Sequence, residues 1–256
     1  MTMITKPPSI QNTYLVLLLL NTLAASFIWG INTLFLLDAG LTNTEAFAAN
    51  AFFTLGQVIF EVPTGIIADS LGRRTSYLLG TITLAISTLL YLFAWQAHAS
   101  FGFFATTSVL LGLGFTFFSG ATEAWLVDAL KFTKFKGTLE SVFAKGQIVG
   151  GFAMLAGSVG GGLIAQFSNL GVPYVLRAAV LGLNFLIAFL LMHDLGFKPK
   201  RSRYIFKDMK KIFSTSVNIG LRAPAIRWMM IAAPFGVGVS FLCFFCNAAL
   251  FTKALR

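Results

Sequence analysis

The feature that most constrains this chain is a series of long stretches that are apolar and almost free of charge. A helix needs about 20 such residues to cross the hydrocarbon core of a bilayer, where every backbone polar group must be satisfied internally. Seven stretches are therefore predicted as membrane-spanning helices: Tyr14–Leu37, Ala46–Ala68, Thr75–Ala97, Phe101–Val127, Leu139–Phe167, Pro173–Met192 and Trp228–Phe251. The sequence predicts an all-α polytopic membrane protein.

The composition excludes other classes of protein. Hydrophobic residues make up 57% of the 256 residues, and charged residues make up only 11%. Soluble globular domains have about 25% charged residues, which cover the surface of the core. This chain has too little polar surface to be a cytosolic enzyme, and too many apolar residues to be disordered.

The distribution of basic residues predicts the orientation in the membrane. Basic loops are retained in the cytoplasm, because the inner leaflet is anionic and the insertion machinery favours that side. With the N-terminus inside, 15 of the 19 lysine and arginine residues are cytoplasmic: Lys6, Arg73, Arg74, Lys131, Lys134, Lys136, seven residues from Lys198 to Lys211, Arg222 and Arg227. We therefore expect a multi-pass protein of the cytoplasmic (inner) membrane with its N-terminus inside.

The chain is expected to have four regions. Residues 1–13 form a cytoplasmic N-terminus, and the first five of them resemble the β-galactosidase leader of cloning vectors. Residues 14–193 form a six-helix bundle. Residues 194–225 form a basic linker with a short amphipathic helix on the inner leaflet, and nucleic acid is not its expected partner because it lies between two spans. Residues 226–256 contain the seventh helix and begin an incomplete second bundle.

A signature sequence lies in the predicted cytoplasmic loop between the second and third spans. It runs from Gly65 to Arg74 and reads Gly-Ile-Ile-Ala-Asp-Ser-Leu-Gly-Arg-Arg. It resembles the loop signature of the major facilitator superfamily, although Ser70 stands where that family usually has arginine. The resemblance implies two six-helix bundles that rock about a central site, and a gating loop that latches them on the cytoplasmic side.

The residues of this loop also have physical roles of their own. Gly65 is expected to let a neighbouring backbone approach closely, and Gly72 to permit a tight reversal. Asp69 is expected to meet a helix N-terminus or an arginine. Arg73 and Arg74 are expected to lie at the anionic leaflet.

Two further stretches resemble exporter-like members of the same family. One is Ser119–Asp128, and the other is Gly157–Gly162, which is similar to the antiporter glycine motif with Ser158 in place of its proline. They favour efflux over uptake. Considered without the family, the glycines at four-residue spacing predict close helix packing, and these are Gly146, Gly150, Gly157 and Gly161.

Polar residues recur at helical spacing within the apolar spans. Since a lipid-facing position would disfavour them, these stripes are expected to line a cavity or a seam between helices. The stripes are Asn50, Thr54, Gln57 and Glu61 in the second span, Thr116, Ser119 and Glu123 in the fourth, and Asn21 and Asn32 in the first. Arg177, one turn into the sixth span, is predicted to extend to the membrane surface.

Three charged residues are expected at the same depth in the membrane, Glu61, Glu123 and Lys145. We hypothesise that Lys145 pairs with one carboxylate and leaves the other to bind a proton or a cationic substrate. A static buried ion pair is the alternative. Glu123 is the favoured coupling residue, because the resemblance implies that the fourth helix lines the cavity.

The leading functional hypothesis is a secondary transporter for proton-coupled efflux of a small amphipathic molecule, with no cofactor, metal or catalytic residue. The alternatives are a non-transporting half-length protein and, less favoured, a membrane-embedded lipid-modifying enzyme. An enzyme would need clustered reactive groups, yet His98 and His193 are predicted near opposite membrane faces. Because the family usually has twelve spans, we expect the sequence to be truncated and its C-terminal half to be missing. A degraded gene product and an assembly of two copies are the alternatives, in that order.

Overall fold

The computed structural model describes residues 6–118 and 120–197, and five isolated positions at 214, 222, 227, 228 and 232. This part of the chain contains no β-strand and confirms the all-α fold class. It forms eight helices: α1 (Pro7–Trp29), α2 (Asn32–Asp38), α3 (Asn43–Leu71), α4 (Arg73–Gln96), α5 (Phe101–Thr116), α6 (Ala121–Phe132), α7 (Leu139–Phe167) and α8 (Val172–Leu191).

Six segments of the described chain are long and apolar enough to cross a membrane. Five of them are single helices, and the sixth, Phe101–Phe132, consists of α5 and α6. They correspond to the first six predicted spans. The predicted seventh span and the predicted linker helix fall almost entirely outside the described residues.

The eight helices belong to one compact unit, residues Met1–Arg201, and the second unit, Ser202–Arg256, is largely outside the described residues. In the first unit, α1 packs along α7 and α8, and α4 packs along α5 and α8. Helix α3 packs mainly along α5. Each helix therefore buries one side against its neighbours, which is how a bundle of apolar helices forms in a membrane.

The first span is longer than predicted and is interrupted. It begins at Pro7, where proline in the first helical turn costs no hydrogen bond. It breaks at Gly30 and Ile31 and resumes as the short helix α2. An aromatic stack holds α2 in place, because the ring of Phe35 lies 4.0 Å from that of Tyr174 and 5.6 Å from that of Trp95.

The fourth span is present, but its helix is not continuous as predicted. Helix α5 ends at Thr116, and α6 begins after Gly120, which has a left-handed φ of +67°. A helix end leaves carbonyl groups without partners, and hydroxyl side chains can satisfy them inside a membrane. Thr64 Oγ1 lies 3.2 Å from the Thr116 carbonyl, and Ser76 Oγ donates to the Phe117 carbonyl at 2.9 Å.

Three of the four predicted packing glycines lie against α1. A Cβ at Gly157 would lie 2.6 Å from Ser26 Cβ, and one at Gly161 would overlap the Phe27 carbonyl oxygen. A Cβ at Gly146 would lie 3.0 Å from the ring of Tyr14. Gly150 is different, because a Cβ there would lie 4.0 Å from its nearest neighbour, Thr22 Oγ1. The small-residue pattern predicted close helix packing, and the structure identifies α1 as the neighbour of α7 at three of these glycines.

A second close approach, between α3 and α5, was not predicted from the sequence. A Cβ at Gly56 would lie 2.6 Å from the Val109 carbonyl oxygen, and one at Gly112 would overlap the Phe53 carbonyl oxygen. These two glycines come from different helices, so no spacing within one span reveals them. Their contact brings α3 and α5 together beside the cavity described next.

Candidate functional site

A cavity of about 610 Å³ lies among α1, α3, α4, α5 and α6. Its polar lining residues are Asn21, Gln57, Glu61, Thr116, Thr122 and Glu123, and its aromatic ones are Tyr14, Tyr77, Phe115 and Phe118. The other lining residues are Leu17, Leu18, Val58 and Gly120. The described lining therefore combines two carboxylates with aromatic rings and has no basic side chain.

The two carboxylates come from different helical settings. Glu61 lies within the long helix α3, whereas Glu123 is in the first turn of α6. The N-terminal amides of a helix favour a negative charge, so the break before α6 creates a favourable position for the Glu123 carboxylate. Both residues are exposed to the cavity side of the bundle.

The structure brings together some of the predicted pathway residues and not others. Gln57, Glu61 and Glu123 line one cavity. Ser119 lies outside the described residues. Lys145 is exposed on α7, is not among the described lining residues, and forms no ion pair with Glu61 or Glu123.

Asn32 belongs to a different polar cluster. Its side-chain amide donates to Asn50 Oδ1 at 2.8 Å, and its Oδ1 accepts from the Tyr174 hydroxyl at 2.7 Å. These contacts join α2 to α3 and α8. The predicted alignment with Asn21 fails because the helix breaks between them, and only Asn21 lines the cavity.

Arg177 does not extend to the membrane surface as predicted. It is 2% exposed, its Nε donates to Thr88 Oγ1 at 3.0 Å, and its guanidinium lies 5.9 Å from the ring centre of Phe115. The prediction assumed that α8 faces lipid at this position. Instead, the packing of α8 on α4 covers the side chain.

The signature loop forms the end of α3 and the start of α4. Gly72 has φ +109°, which confirms the predicted tight reversal. Asp69 pairs with Arg73 on the next turn at 2.6 Å. Gly65 shows no close approach, since none of the described residues lies within 4 Å of where its Cβ would be.

Several residues that shape the site were missed by sequence reasoning. Thr64 and Ser76 hold the break between α5 and α6, and Tyr77 donates a hydrogen bond to the Leu17 carbonyl at 3.3 Å beside the cavity. Single hydroxyl groups in apolar helices were the available signal, but others in these helices bond only to a carbonyl of their own preceding turn, as Thr83 does. In the part of the chain that the structure describes, no three potential metal ligands of the His, Cys, Asp or Glu type lie together.

Comparison with known proteins agrees with this architecture. An uncharacterised MFS-type transporter of Methanocaldococcus jannaschii is 22% identical over 195 residues, which are 75% of this chain and 48% of the relative. The chain thus spans about half the length of that curated relative. Residues 14–255 match the sequence profile of the Major Facilitator Superfamily. This match covers most of the first described span, the other five in full and the signature loop, so the chain belongs to the Major Facilitator Superfamily of multi-pass membrane transporters.

Proposed function

We propose that this chain acts as a secondary active transporter that exports a small amphipathic molecule by alternating access, in exchange for protons. The observation that carries the proposal is the cavity of about 610 Å³ within the bundle, with its two carboxylates and its aromatic walls. Ionisable side chains inside membrane spans mark substrate or proton pathways, because insertion penalises them unless they serve a function.

The lining favours a substrate with a positive charge and an apolar body. A carboxylate attracts a cation, and aromatic faces stabilise it further. A proton on the same carboxylate removes that attraction, so proton binding and substrate binding oppose each other. This opposition is what exchange transport requires. We assign the coupling role to Glu123, with Glu61 as the second carboxylate and Gln57 as a hydrogen-bonding residue of the same lining.

The remaining predicted residues have supporting roles in this proposal. Ser119 is assigned to the pathway from its position in the sequence alone, and Asn32 is assigned to anchoring α2 against α3 and α8. Lys145 is assigned as the partner of a cavity carboxylate in another conformation of the transport cycle, since α7 packs on α1, which lines the cavity.

We further propose that the signature loop lies on the cytoplasmic side of the inner membrane, with the N-terminus inside. Its gating residues are Gly65, Asp69, Gly72, Arg73 and Arg74. The open space beside Gly65 supports a close approach by a second bundle rather than by a described part of this one. The charge distribution along the sequence supports the orientation.

A second candidate, a half-length protein that does not transport by itself, is favoured by one observation. Helices α3 and α7 carry strongly exposed apolar side chains, including Val58 at 70%, Phe152 at 71% and Leu155 at 67%. Family members that rock two bundles against each other need such a surface for the partner bundle. On this view, a missing C-terminal half or a second copy of the chain completes the transporter.

Thiol modification inside the cavity tests whether it is the transport path. Val58 lines the cavity, whereas Val175 is 55% exposed on α8 and is not among the lining residues. Cys243 and Cys246 are first replaced by alanine, and Val58→Cys or Val175→Cys is then introduced into the chain. The protein is reconstituted in vesicles with an acidic interior, and uptake of the aromatic cation ethidium is followed by fluorescence.

A bulky membrane-impermeant thiol reagent is expected to stop uptake by V58C and to leave V175C unaffected. Uptake by V58C that survives full modification would contradict the proposed path. If the unmodified chain takes up no ethidium, the non-transporting half-length candidate is favoured instead.

A further inference from the structure

Helix α4 begins without a cap from its own sequence. Gly72 occupies the N-cap position and offers no side chain, so the first amide groups of α4 need acceptors from elsewhere. Asp194, which follows α8, supplies one. Its Oδ1 accepts from the Arg74 amide at 2.9 Å, and the Arg73 amide also donates to this carboxylate.

The second glycine of the signature leaves the space that this carboxylate occupies. A Cβ at Gly72 would overlap Asp194 Oδ2. Glycine is therefore required at position 72 for two reasons, its φ of +109° and the approach of Asp194. By contrast, a Cβ at Gly65 would meet none of the described residues.

The chain on the N-terminal side of Asp194 is held at two further points. Arg74 Nη2 donates to the Phe189 carbonyl at 2.6 Å, and its guanidinium lies 5.0 Å from the centre of the Phe189 ring. Trp125 Nε1 of α6 donates to the His193 carbonyl at 2.8 Å. The end of α8 is thus bonded to both the α3–α4 turn and α6.

We propose that Asp194 is a positioning residue of the α3–α4 turn, because it caps α4 from the end of α8 and so joins the turn to the first residue of the linker. The inference rests on the proposed function in one respect, the gating role of the turn. A displacement of residue 194 with the linker would then move Gly72 and the two arginines with it. The turn would respond to the linker through its own bundle, and not only through contacts with a second bundle.

Amide hydrogen exchange tests the capping contact directly. In the wild-type chain, the Arg74 amide is expected to be protected, as are its neighbours at the start of α4. Asp194→Ala should accelerate exchange there roughly fivefold, which corresponds to the loss of one N-cap. Asp194→Asn should retain most of the protection, because asparagine caps a helix about as well as aspartate.

Two controls separate this contact from general destabilisation. Asp69→Asn removes the carboxylate that pairs with the Arg73 side chain but leaves the Arg74 amide bond, so exchange at Arg74 should not change. The Glu45 amide is capped by Thr42 within α3 and serves as an internal reference. Acceleration at Arg74 alone supports the proposal. Equal acceleration at Glu45, or none at Arg74 in D194A, overturns it.

Transport by the same variants connects the turn to function. Ethidium uptake should fall severalfold in D194A and recover in D194N. Uptake by D194A equal to that of wild type, despite faster exchange at Arg74, overturns the positioning role while leaving the proposed function intact. No uptake by wild type, with the capping contact verified by exchange, contradicts the proposed function and supports the contact.

Discussion

Two asparagines of the first span show how the break after α1 separates residues that the sequence places together. Asn21 lines the cavity, whereas Asn32 makes hydrogen bonds to Asn50 and Tyr174. In the proposed function, the first would contact a substrate, whereas the second holds α2 against α3 and α8. Their substitution should therefore affect different measurements.

Asn32→Ala is expected to lower the free energy of unfolding by about 2 kcal/mol, because two partly buried hydrogen bonds are lost. Asn21→Ala should change stability by less than about 0.5 kcal/mol but should weaken ethidium uptake. Stability is measured as the thermal midpoint of the purified protein in detergent. A stable N32A, or an N21A as unstable as N32A, would contradict the two assignments.

A titration prediction follows from the surroundings of Asp194, which lies beyond the end of α8. Burial raises the pKa of its carboxyl, and the amides and charges of Arg74 and Arg73 only partly oppose this. The folded chain therefore binds this proton more tightly than the unfolded chain does. The associated stability is present at low pH and is lost as the pH rises through the folded pKa.

The thermal midpoint of wild type relative to Asp194→Asn should accordingly increase when the pH is lowered from about 7 towards about 4, the ordinary pKa of an aspartate. The asparagine variant is the matched control because it cannot titrate at this position. Parallel changes in the two midpoints would mean that the Asp194 carboxyl is not desolvated in the folded protein.

At the scale of elements, the seam between α1 and α7 depends on glycines at defined positions. A side chain at Gly157 or Gly161 would meet the backbone or Cβ atoms of α1, which cannot move without displacing the helix. A Cβ at Gly150 would lie 4.0 Å from its nearest neighbour, and a Cβ at Gly162 would have none of the described residues within 4 Å. Position in the seam, and not glycine content, should therefore decide the effect of a methyl group.

Gly161→Ala and Gly157→Ala are each expected to destabilise the bundle by about 1–3 kcal/mol through overpacking. Gly150→Ala and Gly162→Ala should be neutral or slightly stabilising, since alanine favours a helix over glycine. Thermal midpoints of the four variants in one detergent provide the comparison. Equal effects at all four positions would show that α1 and α7 do not pack as described.

The break between α5 and α6 is the element that sequence patterns were least able to predict. The apolar stretch in the sequence continues through residues 116–121, and the hydrogen bonds that stabilise the break come from side chains of other helices. The Ser76 hydroxyl donates to the Phe117 carbonyl at the break, and the Thr64 hydroxyl lies within hydrogen-bond distance of the Thr116 carbonyl. Since these hydroxyls are distant in sequence, only the assembled bundle shows that the interruption is stable and that it places Glu123 in a helical first turn.

For the whole molecule, the sequence predicted what depends on composition and on periodicity within one helix. The six spans and the tight reversal at Gly72 are of this kind. The family membership followed from the signature and is shown by the match over residues 14–255.

Relations between helices were not predictable in the same way. The burial of Arg177 depends on how α8 packs against α4, and the capping of α4 by Asp194 joins residues 120 positions apart. The cluster around Asn32 depends on the break in the first span. Each of these features needs two or more helices to be placed before it can be recognised.

The most direct test of the account is the effect of Glu123→Gln on gradient-driven transport. Glu140→Gln is the matched control, because Glu140 is exposed at the start of α7 and is not among the cavity residues. In reconstituted vesicles with an acidic interior, wild type and E140Q should accumulate ethidium, and E123Q should accumulate none. Accumulation by E123Q at the wild-type rate would contradict the central claim that a cavity carboxylate couples protons to the substrate.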